Sequence, residues 1–221
     1  MRSGVVVHLR PRRSDAGFTL IEMLIVIAIL GVIMLPLGDV VIGIARNTKN
    51  TSDRVTLSHD AQLAATYFAQ DVAGTGVRDY SGSQVALGTV PYKQSVQLNA
   101  AYNAGAAVCG TSSTPTAVLR LLSDDWDISG TDPAVSTDVV AYYLKSTSDG
   151  TELHRLRCSG SSTPTSDITV AHNVSASTVA VTCSSTCEST TVPQRITLSF
   201  SLVRGTLAAY PVTLTGQRRQ T

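Results

Sequence analysis

Hydrophobic and polar positions divide this chain into three textures. From Phe18 to Gly38 the run is apolar, and Glu22 is its only ionisable side chain. At about 1.5 Å per helical residue this stretch is long enough to span a bilayer core. Gly31, Pro36 and Gly38 mark soft points in it, because Pro36 removes one helical hydrogen bond. Asp39 ends the charge-free stretch. Val40, Val41, Ile42 and Ile44 continue the apolar pattern, which then thins. From Asp53 to Val72 the spacing becomes one-faced. Val55, Ala61, Ala64, Ala65, Phe68 and Val72 fall near one side, leaving Arg54, His59, Asp60, Gln62 and Gln70 for the other. One long helix is expected from Phe18 to Ala73, loosened at Asn47 to Asn50 and stopped by Gly74 and Gly76.

From Val77 onward Ser, Thr, Gly and Ala dominate and the apolar positions alternate. Ala117 to Leu122 reads as a strand. Val139 to Lys145 and Glu152 to Arg157 read as two strands joined through Ser148-Asp149-Gly150. Ile168 to His172 and Val179 to Thr182 are short strands. Arg195 to Val203 alternates most clearly, with Ile196, Leu198, Phe200 and Leu202 on one face. Ala208 to Thr215 returns as a last strand, with Pro211 best tolerated at a sheet edge. Gly105 to Thr116 and Ser159 to Ser166 read as loops. The fold class expected is α+β: an antiparallel sheet covering the single apolar face in the second half of the long helix.

Composition narrows the possible functions. A chain of 221 residues holds one anchor helix and one globular domain. Its formal charge is +1. Removing residues 1–17 takes away Arg2, Arg10, Arg12, Arg13 and Asp15, which leaves 13 basic and 15 acidic groups. Nucleic acid is therefore not indicated as a partner through a broad basic footprint, although a local patch is compatible with these numbers. The basic start resembles a secretory signal, but Asp39-Val40-Val41-Ile42 after the apolar run offers no small-residue cleavage site. The positive-inside rule keeps the leader arginines cytoplasmic and sends the rest of the chain outside.

Glu22 is the physical anomaly. A charged side chain at the centre of a membrane helix costs about 2.5–3.5 kcal/mol on insertion scales, and less near an end. The bland reading is a carboxylate that stays protonated near the membrane surface and has no role. Cleavage after Gly17 gives the sharper one: Phe18 becomes a free N-terminus, and its ammonium can partner Glu22 of a neighbouring copy. Gly17-Phe18-Thr19-Leu20-Ile21-Glu22-Met23 behind Arg10, Arg12 and Arg13 resembles the processing site of type IV prepilins and type II secretion pseudopilins. The resemblance covers the first quarter of the chain. It implies that a prepilin peptidase cuts after Gly17 and methylates Phe18, and that Glu22 is the assembly carboxylate. It also implies other pilin or pseudopilin subunits, a membrane assembly platform and, before assembly, the lipid bilayer as partners.

The domain plan that follows is a leader at 1–17, a transmembrane and filament-core segment at 18–38, an amphipathic half-helix at 39–76 and a Ser/Thr-rich β head at 77–221. The expected location is a single-pass inner-membrane protein with an external head, which passes into a pilus or pseudopilus. Val140-Ala141-Tyr142-Tyr143-Leu144 and Leu153-His154-Arg155-Leu156-Arg157 are similar to the larger minor subunits, the J-type pseudopilin and the W-type minor pilin. So is the segment from Tyr67 to Val77. The alternatives are a major pilin, or a monomeric membrane-anchored surface binding protein.

Cys109, Cys158, Cys183 and Cys187 allow three pairings. The favoured set is Cys183–Cys187 around Ser184-Ser185-Thr186, with Cys109–Cys158, since an external location favours oxidation. Four reduced, buried cysteines are the alternative. A zinc site is disfavoured, because no second close pair accompanies Cys183 and Cys187. Asp124, Asp125, Asp127 and Asp132 around Trp126 read as a solvated acidic turn, with a calcium site as the lesser reading. Asn50-Thr51-Ser52 and Asn173-Val174-Ser175 fit the glycosylation acceptor pattern and read as ordinary surface. His8, His59, His154 and His172 are scattered in sequence, and no Gly-x-Ser-x-Gly elbow or phosphate-cradling glycine loop occurs. No catalytic residue, metal or cofactor is expected, and the chain reads as the substrate of an enzyme.

Overall fold

The computed structural model describes residues 17–81, 90–127, 134–205 and 207–219. The expected leader, apart from Gly17, lies outside them, as does Asp132. The chain forms two compact units, one ending at Lys49 and one running from Asn50 to the C-terminus. A single helix, α1 (Leu20–Gly74, 55 residues), supplies all the regular structure among the described residues of the first unit and the opening element of the second. Its assignment passes Pro36 without a break.

In the first unit every described side chain is exposed. Among the described residues of the unit nothing covers Leu24, Ile25, Ile29, Leu30 or Ile33. The helix is long and apolar enough, by length and composition, to cross a membrane.

The second unit is a helix laid on two antiparallel sheets. Strands β1 (Val96–Ala100), β2 (Ala117–Asp127), β3 (Ala134–Thr147), β4 (Gly150–Cys158) and β5 (Ser166–Ala171) form a five-stranded meander. Strands β6 (Ala180–Cys183), β7 (Arg195–Leu202) and β8 (Tyr210–Gln217) form a three-stranded one. Leu57, Ala64, Phe68 and Val72 of α1 share one core with Leu119, Leu121, Tyr142 and Leu153 of the larger sheet. Ile196, Leu198, Phe200, Leu202, Val212 and Leu214 of the smaller sheet complete it. β7 alternates as its sequence predicts, with those four apolar side chains all inward. Pro211 lies on β8, an edge strand, opposite Ser201. Gly216 on β8 passes so close to the helix that a Cβ there would fall inside the Val72 side chain.

The buried face of α1 differs from the one periodicity selects. Val55 and Ala65 are exposed, whereas Asp53 and Asp60 are buried with Leu57, Ala64, Phe68 and Val72. Each inward carboxylate meets a donor from the strands and loops. Asp53 pairs with Arg204 at 2.8 Å. Asp60 accepts from the His172 backbone N–H at 3.0 Å and lies 3.1 Å from its Nδ1. Asp71 takes a two-pronged contact from Arg155, Nε to Oδ2 at 2.7 Å and Nη2 to Oδ1 at 2.6 Å. The Tyr142 hydroxyl also donates to Asp71, and the Arg155 guanidinium lies over the Tyr67 ring. Burial pulls on the Arg155 guanidinium, but the hydrogen bonds and charge of Asp71 outweigh it and hold its pKa above the ordinary value. Burial, then the Asp71 charge and hydrogen bond, raise the Tyr142 phenol well above its usual range.

Two further stretches differ from the sequence reading. β1 carries polar Gln97 and Asn99 and escapes a search for alternation; Gln97 is buried because its Oε1 accepts from Arg120 Nη1 at 2.7 Å. Arg120 itself is fully buried, and it donates to the carbonyls of Ala101, Tyr102, Ala104 and Ala107, fastening that loop. Asp124, Asp125 and Asp127 lie on β2 and not in a turn, because β2 continues its pairing with β3 through Asp127↔Ala134. The sulfur pairs are Cys109–Cys158, which ties the 101–116 loop to the end of β4, and Cys183–Cys187, which closes a small loop after β6.

Two outcomes follow. Asp71→Asn leaves a buried guanidinium without its counter-charge and costs about 3–5 kcal/mol in a urea melt. Stability falls as pH rises above about 10, because the unfolded chain then releases a phenol proton that folded Tyr142 retains. That alkaline decline is shallower in Tyr142→Phe, as read by denaturant melts from pH 8 to 11.

Candidate processing and assembly site

Gly17, Phe18 and Thr19 precede the helix, and Thr19 caps it. The Thr19 carbonyl accepts from the N–H groups of Glu22 and Met23 at 3.1 and 3.2 Å. The Thr19 hydroxyl accepts from Glu22 N–H at 3.3 Å, and Glu22 Oε2 accepts from Thr19 N–H at 3.4 Å. This reciprocal arrangement is a capping box, long in both arms and therefore weak. Thr-x-x-Glu is readable in the sequence, but the oddity of a carboxylate in an apolar run masked its local role. A carboxylate in the first turn also complements the helix dipole. It lowers the cost of that charge without removing it.

Gly17 is exposed, and a Cβ there would meet nothing within 4 Å. The folded chain therefore has no steric need for glycine at this position. Phe18 is 78% exposed and makes no core contact. Glu22 is exposed, and its one described partner is Thr19. Beyond it, α1 presents apolar side chains on every side through Ile44. The geometry at residues 17–22 is thus an open chain end, a capped helix start and one carboxylate, followed by an apolar surface with no cover in its own unit.

The other candidate residues lie in the second unit. His154 and His172 are held by separate carboxylates. His154 sits between Glu152 Oε2 and Asp167 Oδ1, each 3.0 Å away, and its Nε2 is 3.2 Å from the Thr169 hydroxyl. The His154 hydrogen bond holds the Glu152 carboxyl below its ordinary value. Sequence spacing hid this group, because register across β4 and β5 brings residues 152, 154, 167 and 169 together. Its members satisfy one another, and the imidazole is buried. Among the described residues no three His, Cys, Asp or Glu side chains converge to hold a metal ion.

Comparison with known proteins bears on the first site. Residues 12–38 match the family model described as the prokaryotic N-terminal methylation motif. The chain therefore carries a methylation motif consistent with a type IV prepilin or pseudopilin, centred on the residues whose geometry is given above. The motif is a structural one, and it ends before the second unit begins. No curated protein and no solved structure matches the chain.

The capping box makes a local prediction. Thr19→Ala should cost about 1 kcal/mol at the helix start. Hydrogen exchange of the full chain in detergent should show the Glu22 and Met23 amides exchanging about fivefold faster, with amides near Ile33 unchanged.

Proposed function

We propose that this chain is a minor structural subunit of a type IV pilus or a type II secretion pseudopilus. It is inserted through residues 18–38 with residues 1–17 in the cytoplasm. A prepilin peptidase cuts it after Gly17 and methylates Phe18, and the assembly platform packs its helix against those of other subunits. The observation that carries this reading is the methylation motif placed at the open end of an apolar helix whose surface has no cover within its unit. Such a surface is stable in lipid or against other helices and unfavourable in water. The absence of any steric demand for glycine at position 17 supports an external reader of that residue, since a peptidase pocket would leave no room for a side chain.

Glu22 then has two successive partners. In the single chain it caps its own helix through Thr19. In the filament the free Phe18 ammonium of a neighbouring copy takes its charge. A lone buried charge is costly, and a pair with good geometry offsets that cost while fixing axial register. The contribution is to the specificity of docking more than to net stability. The Ser/Thr-rich head caps or decorates the fibre, and the two disulfides hold its loops outside the cytoplasm.

Mass spectrometry of the membrane-extracted protein should show a chain that starts at Phe18 and carries one methyl group. Gly17→Val should retain residues 1–17. Glu22→Leu should be cut normally but be depleted at least tenfold from sheared filaments. A wild-type chain that keeps its leader, or a Glu22→Leu chain incorporated at the normal level, contradicts the assignment.

A further inference from the structure

Two guanidinium groups without a carboxylate partner among the described residues are gathered on one aromatic ring. The guanidinium carbons of Arg78 and Arg218 lie 4.5 and 4.6 Å from the centroid of the same ring, Tyr92. Neither is ion-paired to a carboxylate among the described residues. Arg78 spends Nη1 on the Val90 carbonyl and Nη2 on the Tyr92 hydroxyl. Arg218 Nε and Nη1 are buried and have no hydrogen-bond partner among the described residues, a state that Arg120 Nε shares. Buried donors without acceptors are rare in folded proteins and ask for an explanation.

The neighbouring charges deepen the imbalance. Arg219 is exposed beside Arg218, and its backbone N–H donates to the Ala73 carbonyl at the end of α1. Lys93 is already neutralised by Asp79 at 3.3 Å. The Asp124 carboxylate accepts from the Arg78 backbone N–H and the Tyr80 hydroxyl and is not ion-paired with the Arg78 side chain. The C-terminal carbonyls of α1 give the three arginines a partial local reason, through the helix dipole. They do not supply acceptors for Arg218 Nε or Nη1.

We propose that Arg78 and Arg218, gathered on Tyr92 with Arg219 at the rim, form a binding site for a phosphate group. The guanidinium fork matches a tetrahedral oxyanion in geometry as well as charge. Tyr92 acts as the spacer that holds two like charges together, through cation–π attraction to both. Since guanidiniums already occupy the ring, recognition rests on the phosphate and not on stacking of an attached base. The phosphate can come from a free or monoester source, or from a phosphodiester backbone. This site is independent of the processing motif, so it stands or falls apart from the filament assignment.

The test uses the full chain in a nonionic detergent. Binding of radiolabelled inorganic phosphate is measured by equilibrium dialysis, and binding of a fluorescent single-stranded oligonucleotide by anisotropy, each at several salt concentrations. The expected result is saturable 1:1 phosphate binding that weakens at least tenfold in Arg218→Gln and in Arg78→Gln, with Arg195→Gln unchanged. Arg218→Lys, which keeps the charge and loses the fork, should fall between wild type and Arg218→Gln, and matching near-UV dichroism checks that each variant is folded. An oligonucleotide that binds tenfold or more tightly than phosphate, with a log–log salt slope of about −2, identifies a phosphodiester source through roughly three neutralised phosphates. Equal or weaker oligonucleotide binding identifies a free or monoester phosphate. The proposal is overturned if wild type binds neither probe below 10 mM, or if folded Arg218→Gln and Arg78→Gln bind as wild type does.

Discussion

The contact between Arg155 and Asp71 is the constraint on which the head is built. It is two-pronged, with both partners closed to solvent, and it joins the last turns of the helix to the middle of the larger sheet. A buried ion pair is weak evidence of net stability, because desolvation offsets much of its attraction. Its consequence here is geometric. With Asp71 fixed to Arg155 and to the Tyr142 hydroxyl, Phe68 meets the Tyr142 ring edge-on at 5.8 Å and Val72 is set against Gly216. The two sheets close over the same helical stripe because that stripe has one permitted rotation.

Asp53 and Asp60 extend the same rule down the helix. Asp53, Leu57, Asp60, Ala64, Phe68, Asp71 and Val72 recur at helical spacing, so the stripe mixes grease and charge. Each carboxylate has its own donor from a different part of the chain: Arg204 after β7, His172 after β5, Arg155 on β4. A stripe of leucines alone would tolerate sliding by a turn. Three carboxylates at unequal intervals, each matched to one donor, do not.

The long helix, its apolar first half and the alternation of β7 are local patterns, and they were legible because each depends on near neighbours alone. Asp60 was assigned outward because periodicity treats any carboxylate as solvent-facing, and nothing near residue 60 announces His172. Arg120 and Gln97 carry no local sign of burial: each is buried by virtue of the other and of a loop. The 124–127 acids read as a turn because charge density suggests exposure, while strand pairing with 134–137 decides the backbone. Gly17, Phe18 and Glu22 are legible as a motif, and the Thr19–Glu22 contact that caps the helix is equally local.

The two halves of the one helix treat charge in opposite ways, and that difference bears on function. In the second unit every buried carboxylate on α1 is answered from within the chain. In the first unit Glu22 has only a weak local cap, and the apolar residues around it have no cover in their unit. A fold that satisfies its acids so fully at Asp53, Asp60 and Asp71 shows that pairing is available to this sequence by ordinary means. Glu22, exposed in an apolar setting with only a weak local cap, is the acid to which the proposed filament contact assigns a partner in another copy. The arginines around Tyr92 are the mirror case, cations with no carboxylate partner among the described residues.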